Sequence, residues 1–422
     1  MKKLILWTII SSWLIHVFVP LGYKLCYGAY PRNIQNLRDV PDEISTKVVI
    51  ILSAVYLISL IIIARFPSKD TPLIPSEDGN VLYYYISVAA AACMLMSFSG
   101  SAYTNAMSGS LNASYYSYFI MLFSPQVLFI IFLFCVNGRK NILLFVGSYL
   151  LFTLLSYSRQ GALFIALNVA GYMLCESTKE IEDLRNSVIS SIRKNKKIFI
   201  GIIIIMVIAG PLLYVYSSNN RGTFSEDETH TVFETIASRC SCLENSGLAL
   251  MKYDDDDYDR QVFLEKYGVS NQLVRIVDST MPGSLFREDV DPNQYFRYIF
   301  GYMSYENAAR YYSSVNFMLP IYLIVKYGYT LGILLSILII VGFSEIILRS
   351  KNCLLQVCMI CIVLKGTLYY FDWVMIWKDV VIILLTVFVF ELINKHALKN
   401  IRVVSGTSGI SLESGRRKVR FR

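Results

Sequence analysis

The stretch IFIGIIIIMVIAGPLLYVYSSNNRGTFSEDETH, residues 198 to 230, changes character in its middle. Ile198–Tyr216 carries no charge, whereas Arg221, Glu226, Asp227 and Glu228 follow within a few residues. About 20 mostly apolar residues cross a bilayer. An uncharged run of this length followed abruptly by charge therefore reads as a span leaving the membrane. The polar side continues for 96 residues, Ser218 to Ser313, with 16 of the chain's 31 acidic residues but only 9 of its 39 basic ones. It is an acidic segment in a chain of net charge +8.

Working outward, nine further apolar runs accompany Ile198–Tyr216. They are Leu4–Leu21, Lys47–Ala64, Val81–Phe98, Tyr116–Val136, Ile142–Tyr157, Gly161–Cys175, Gly328–Leu348, Cys353–Phe371 and Val374–Leu392. Charged residues make up 17% of the chain, against about 25% in soluble domains. The alternation of a barrel strand is absent, and in lipid the backbone must then be satisfied within helices. The fold class expected is an all-α polytopic membrane protein of about ten transmembrane helices with one large outer loop. Its parts are an N-terminal bundle of about seven helices (1–217), the loop (218–313), C-terminal membrane helices (314–392) and a basic tail (393–422). Ser314–Lys326 is expected as an amphipathic or re-entrant helix, and Glu176–Lys197 as a short interfacial one.

The basic balance invites a nucleic-acid reading, but its distribution opposes one. With the N-terminus in the cytoplasm, 22 of the 39 Lys and Arg fall in the inner connections and the tail, and the outer connection Gly100–Ser114 has no charge. That asymmetry orients membrane proteins, and RRKVRFR in the tail suits an anionic lipid surface. No nucleic-acid partner is expected. Met1–Leu21 lacks a small-residue cleavage site and reads as the first span.

Six of the nine cysteines lie in or beside spans and read as small hydrophobes. Cys26, Cys240 and Cys242 fall outside, where a disulfide from Cys26 to either of the others, or none, is consistent with the spacing. CxC is too short for a zinc pattern. The run Asp254–Asp257 with Asp259 lacks the spacing of a calcium loop and reads as a solvated acidic surface. No metal and no cofactor is expected.

Ser158–Arg159–Gln160–Gly161 interrupts an apolar stretch at a tight outer turn, where the next helix starts. A helix N-terminus offers free N–H groups and positive potential, and Arg adds a planar fork suited to phosphate. Arg159, Ser158 and Gly161 together read as an anion site. Of the loop arginines, Arg221, Arg239, Arg260 and Arg275 read as ion-paired surface residues. Arg287, Arg297 and Arg310 are the better catalytic candidates, since their segment runs into the membrane. Asn316 at the loop exit and Lys378 complete the candidate substrate-binding set. Lys365, Asp372, Lys378 and Asp379 cluster around the outer turn of the last hairpin, either as an ion-pair network or as the lining of a polar site. Asp39, Asp42 and Glu43, or His230, could offer a base.

These features together resemble the bacterial O-antigen polymerase family. TLLSYSRQGALFIAL (153–167) is similar to the Ser-Arg turn that opens a span in these polymerases and in the related O-antigen ligases. MPGSLFRED (281–289) resembles the proline-containing segment of the polymerase loop. NFMLPIYLIVKYGYTLGILLS (316–336) resembles the loop exit, with Tyr–Gly–x–x–x–Gly at Tyr327 to Gly332. The ligases typically carry a His just before an Asn at the loop exit; here Val315 precedes Asn316, which favours polymerase. The resemblance implies a glycosyltransferase in the bacterial inner membrane with its large loop in the periplasm. It implies the joining of undecaprenyl-pyrophosphate-linked oligosaccharides without a nucleotide, in company with a chain-length regulator and a repeat-unit flippase. Arg159 and the loop arginines would supply cations for the departing pyrophosphate. A ligase, another lipid-linked-sugar transferase and a flippase are the competing readings. A flippase usually shows internal repeats and broken helices at the midplane; no repeat is present here, and a flippase would not need a 96-residue outer loop.

Overall fold

The computed structural model describes residues 1–31, 40–67, 81–96, 118–135, 142–155, 161–176, 237, 243–280, 295–301, 304–306, 318–369 and 371–407. Among these residues the chain is helical and forms no β-strand. In order the helices are α1 (Lys2–Tyr27), α2 (Asp42–Ala64), α3 (Val81–Met96), α4 (Pro125–Cys135), α5 (Ile142–Leu155), α6 (Gly161–Glu176) and α7 (Leu243–Asp254). Then follow α8 (Arg260–Lys266), α9 (Val269–Thr280), α10 (Phe296–Ile299), α11 (Leu319–Tyr327), α12 (Tyr329–Arg349), α13 (Cys353–Tyr369) and α14 (Trp373–Thr407).

Among the described residues four helices are long and apolar enough to cross a bilayer: α1 with 26 residues, α2 with 23, α12 with 21 and Trp373–Ile393 of α14 with 21. At 1.5 Å per residue each reaches about 30 Å or more, the thickness of the hydrocarbon layer. The described parts of α3 to α6 and of α13 are apolar but shorter. This is a helical membrane protein. Each of the apolar runs read from the sequence overlaps one of these helices within the described residues, except Ile198–Tyr216, which lies outside them. The interfacial helix expected over Glu176–Lys197 also lies outside them beyond Glu176.

Local sequence explains the helix ends. Pro41 precedes α2, and Asp42 and Glu43 put negative charge in its first turn. Asn352 caps α13 by accepting the Leu355 N–H at 3.1 Å. The Gln356 side chain donates to the Ile347 and Ser350 carbonyls at 3.0 and 2.7 Å, closing the end of α12. Within the spans, Thr8, Ser12, Ser336, Ser344 and Thr367 each donate to the carbonyl four residues earlier, so their hydroxyls need no water.

Two contacts fix the sense of the bundle. At one end the Lys2 ammonium donates to the Ala64 and Phe66 carbonyls at 2.7 and 2.6 Å, tying α1 to the end of α2. Close by, Gly171 of α6 lets Leu4 and Trp7 approach to where its own side chain would stand, and Trp7 Nε1 donates to the Leu167 carbonyl at 3.0 Å. At the opposite end of α2, Lys47 pairs with Asp254 at 2.7 Å, and the Tyr329 hydroxyl donates to the same carboxylate at 2.6 Å. The helices of the polar stretch thus dock on the end of the bundle away from Lys2.

Part of that stretch belongs to the core. Leu243, Leu248, Ala249 and Leu250 of α7 are buried, and Gly247 sits flush against Val40. The acidic run is exposed, as its composition suggests, with Asp254 engaged as above and Asp257 paired with Lys252 at the surface. The helix expected before α12, amphipathic or re-entrant, is α11; it is buried on every side from Leu319 to Val325, which overturns the amphipathic alternative. At about 13 Å it is too short to span. Gly328, at φ 84°, turns the chain back so that α11 lies along α12. A side chain on Gly332 would come within 2.6 Å of the Ile324 backbone, so only glycine permits this approach.

Candidate functional site

Asp372, in the turn between α13 and α14, does two things. Its Oδ1 accepts the Val374 N–H at 2.9 Å and its carbonyl accepts from Ile376, which starts α14. Its carboxylate also receives the Arg275 guanidinium of α9, with Nη2 to Oδ2 at 3.1 Å and Nη1 to Oδ1 at 3.4 Å. Gln272, one turn back, accepts from the same Nη1 at 3.3 Å. The two side chains are only 8% and 4% exposed. A two-pronged geometry of this kind is what allows a buried charge pair to offset its lost hydration.

Tyr267, Gln272, Arg275, Tyr322, Phe371, Asp372 and Trp373 line a pocket around this pair. Its wall is aromatic. The Tyr322 and Phe371 rings stand 5.1 Å apart, Phe371 and Trp373 meet edge to face at 4.9 Å, and Tyr267 lies 5.8 Å from Tyr322. The Lys326 ammonium fixes two of these rings, donating to the Tyr267 carbonyl at 3.0 Å and to the Tyr322 hydroxyl at 3.2 Å. Partial burial lowers the Lys326 ammonium from its ordinary value. Behind the wall, Lys266 is buried with its ammonium 4.4 Å above the Tyr295 ring. Asp259 caps α8 through the Val262 N–H and accepts the Tyr298 hydroxyl, which holds α10 against α8. Chemically the pocket offers flat aromatic faces, hydroxyl and amide groups and a fixed guanidinium. The space they enclose holds little more than one water molecule, and the guanidinium, the Gln272 amide and the Tyr322 hydroxyl are already hydrogen-bonded within the protein.

The other charges named on the last hairpin lie deeper. Lys378 and Asp379 are half-buried on α14, about 9 Å along the helix from Asp372. Asp379 Oδ2 lies beside Gly366 of α13, 3.9 Å from where a Cβ would stand. The Lys365 ammonium is enclosed, 4.6 Å from the Phe164 ring centre and 5.6 Å from that of Tyr369, and it makes no hydrogen bond. His16, fully buried in α1, bonds through Nδ1 to the Tyr56 hydroxyl at 3.1 Å, and that hydroxyl donates to the Leu368 carbonyl. His16 and Lys365 both lie at π-helical segments, Leu14–Phe18 and the one ending at Leu364.

Comparison with protein-family models, with curated proteins and with solved structures gives no match.

Of the residues proposed from sequence, Arg159, Ser158, Arg287, Arg310 and Asn316 lie outside the described residues. Gly161 is the first residue of α6, and Arg297 lies in α10 without a described side chain. Arg275, expected as a surface ion pair, is paired but buried at the pocket. Of the alternative bases, Asp42 pairs with Lys24 at 3.7 Å, while Asp39 and His230 lie outside the described residues. Cys26 is exposed with a free thiol, which removes a disulfide from it; Cys240 and Cys242 lie outside the described residues. Among the described residues no group of His, Cys, Asp or Glu could hold a metal ion. No sequence pattern marks Tyr267, Gln272, Tyr322 and Trp373 as a group, because three separate segments supply them.

Proposed function

We propose that this chain is an O-antigen polymerase, a glycosyltransferase at the periplasmic face of the bacterial inner membrane. The observation that supports the reading is that the helices of the polar stretch dock on one end of the membrane bundle, away from Lys2, through the Lys47–Asp254 and Arg275–Asp372 pairs. Both substrates in this reading are undecaprenyl-pyrophosphate-linked oligosaccharides. The sugars suit aromatic faces and amide or hydroxyl partners, and the leaving group needs cations near the membrane surface. The acceptor hydroxyl forms a bond to the donor's anomeric carbon, the bond from that carbon to pyrophosphate oxygen breaks, and the hydroxyl proton passes to a base. Arg159, Arg287, Arg297 and Arg310 are assigned to the pyrophosphate, and Ser158, Gly161, Asn316 and Lys378 to substrate binding. A chain-length regulator and a flippase are the expected partners.

The test is the lipopolysaccharide of a deletion strain. The expected product is lipid A core bearing at most one repeat unit, with long chains restored by the gene in trans. A strain with no repeat unit attached would point to a ligase or a flippase instead.

A further inference from the structure

Helix α9 is amphipathic the wrong way round for a helix in water. Its polar residues Asn271, Gln272 and Arg275 face the protein, where Asn271 donates to the Lys266 carbonyl at 2.6 Å, Gln272 to the same carbonyl and Arg275 to Asp372. Its apolar residues face out. Val269, Leu273 and Val277, each one turn from the next, are 70%, 57% and 45% exposed, and Val274 beside them is 37% exposed. From Val269 to Val277 the outward sector contains one polar residue, Ser270, and no charge. A helix at a protein–water boundary places its charged face outward, so water is the wrong solvent for this one.

Its position supplies the right one. Arg275 clamps α9 to Asp372, the residue that starts the last membrane helix. The first turns of that helix expose Met375 and Trp377, and further along it exposes Leu384 and Phe388, the apolar surface that a spanning helix shows to lipid. Tryptophans concentrate at the membrane–water boundary. The apolar stripe of α9 therefore adjoins a lipid-facing surface at the level where that surface ends. Helices with such stripes lie in the plane of the interface with the apolar side sunk among the acyl chains.

We infer that α9 is an interfacial helix whose Val269–Leu273–Val277 face is embedded in the bilayer leaflet on the side away from Lys2. The occupant of this face is phospholipid. Through Gln272 and Arg275 the helix fixes the edge of the docked polar stretch at the surface of the leaflet.

The test uses the full-length protein in its native membranes, with the photoreactive residue benzoylphenylalanine replacing Leu273, Val277 or, as a control, the exposed Asp255 of the acidic turn. After irradiation the purified protein is examined by mass spectrometry for a phospholipid adduct. Adducts at Leu273 and Val277 several-fold above that at Asp255 are expected. Adducts to a second copy, to another protein or to a segment of the same chain would overturn the inference. So would equal lipid labelling at all three sites, or none. If one variant fails to insert, the other carries the test. The readout does not depend on glycosyl transfer, so its failure and that of the proposed function are separable.

Discussion

The Arg275 guanidinium grips both carboxylate oxygens of Asp372 across 97 residues of chain, at 3.1 and 3.4 Å. It is a bond that fastens the polar stretch to the start of the last membrane helix. Because both groups are buried, the pair is strong only while complete. Removing one partner leaves the other's charge in a buried site at a cost, whereas removing both avoids that cost.

Asp372→Asn tests this directly. Asparagine still caps the start of α14, so the substitution isolates the ion pair from the cap. The expected loss is about 3–5 kcal/mol of unfolding free energy in micelles or bicelles. The double variant Asp372→Asn with Arg275→Met should lose clearly less than the single one. Equal unfolding midpoints for the wild type and Asp372→Asn would show that the pair holds nothing.

The hairpin of α11 and α12 depends on a missing side chain. A Cβ on Gly332 meets the Ile324 backbone at 2.6 Å, and backbone cannot swing aside as a flexible side chain can. Gly342, on the same helix, has nothing within 4 Å. Gly332→Ala should therefore cost about 1–3 kcal/mol through overpacking. Gly342→Ala should be neutral or stabilising by up to about 1 kcal/mol, since alanine is the better helix former. Thermal unfolding of the two variants side by side decides the matter, and equal midpoints would contradict the close approach.

The fold was legible where one helix decides its own fate. Lys2–Tyr27, Asp42–Ala64 and Tyr329–Arg349 follow from apolar length alone, because in lipid each helix satisfies its own backbone. Residues whose role depends on distant segments were not legible. The polar side of α9 could be seen in its sequence, but not that it faces inward, because Asp372 lies on another element. The burial of α11 was hidden for the same reason: its surroundings are set by α7, by α2 and by the groove that Gly332 opens. Asp372 was singled out because a charge between two spans must find a partner; which of the loop arginines it takes is a matter of tertiary packing.

Lys365 gives a third prediction. Its ammonium is enclosed by aromatic rings and makes no hydrogen bond, so a methionine of similar length would remove an uncompensated polar group without opening a cavity. Lys365→Met should leave the protein as stable as the wild type or more so by thermal unfolding. Polymer chain length in the same strain then reports whether the amine serves the reaction: long chains with a raised midpoint assign it no role, and lost polymer at unchanged stability assigns it one. A strongly destabilised Lys365→Met would show that the amine is held by a bond, against the structure.

The last prediction concerns Arg159, which the sequence places between two apolar runs at the turn before α6. The nearest acidic residue in sequence is Glu176, a whole helix away. A guanidinium at the start of a membrane helix without a neighbouring acid matches a lipid pyrophosphate in charge and geometry. Arg159→Ala should abolish polymerisation while membrane insertion stays near normal. Arg159→Lys should rescue only in part, because lysine keeps the charge but loses the two-pronged fork. An arginine that merely anchored the turn at the interface would behave differently: lysine would then substitute fully, and alanine would lower the amount of protein in the membrane. Lipopolysaccharide chain-length profiles, normalised to membrane protein level, separate the two cases. Full-length polymer from the lysine variant, with depleted protein in the alanine variant, would refute the pyrophosphate role.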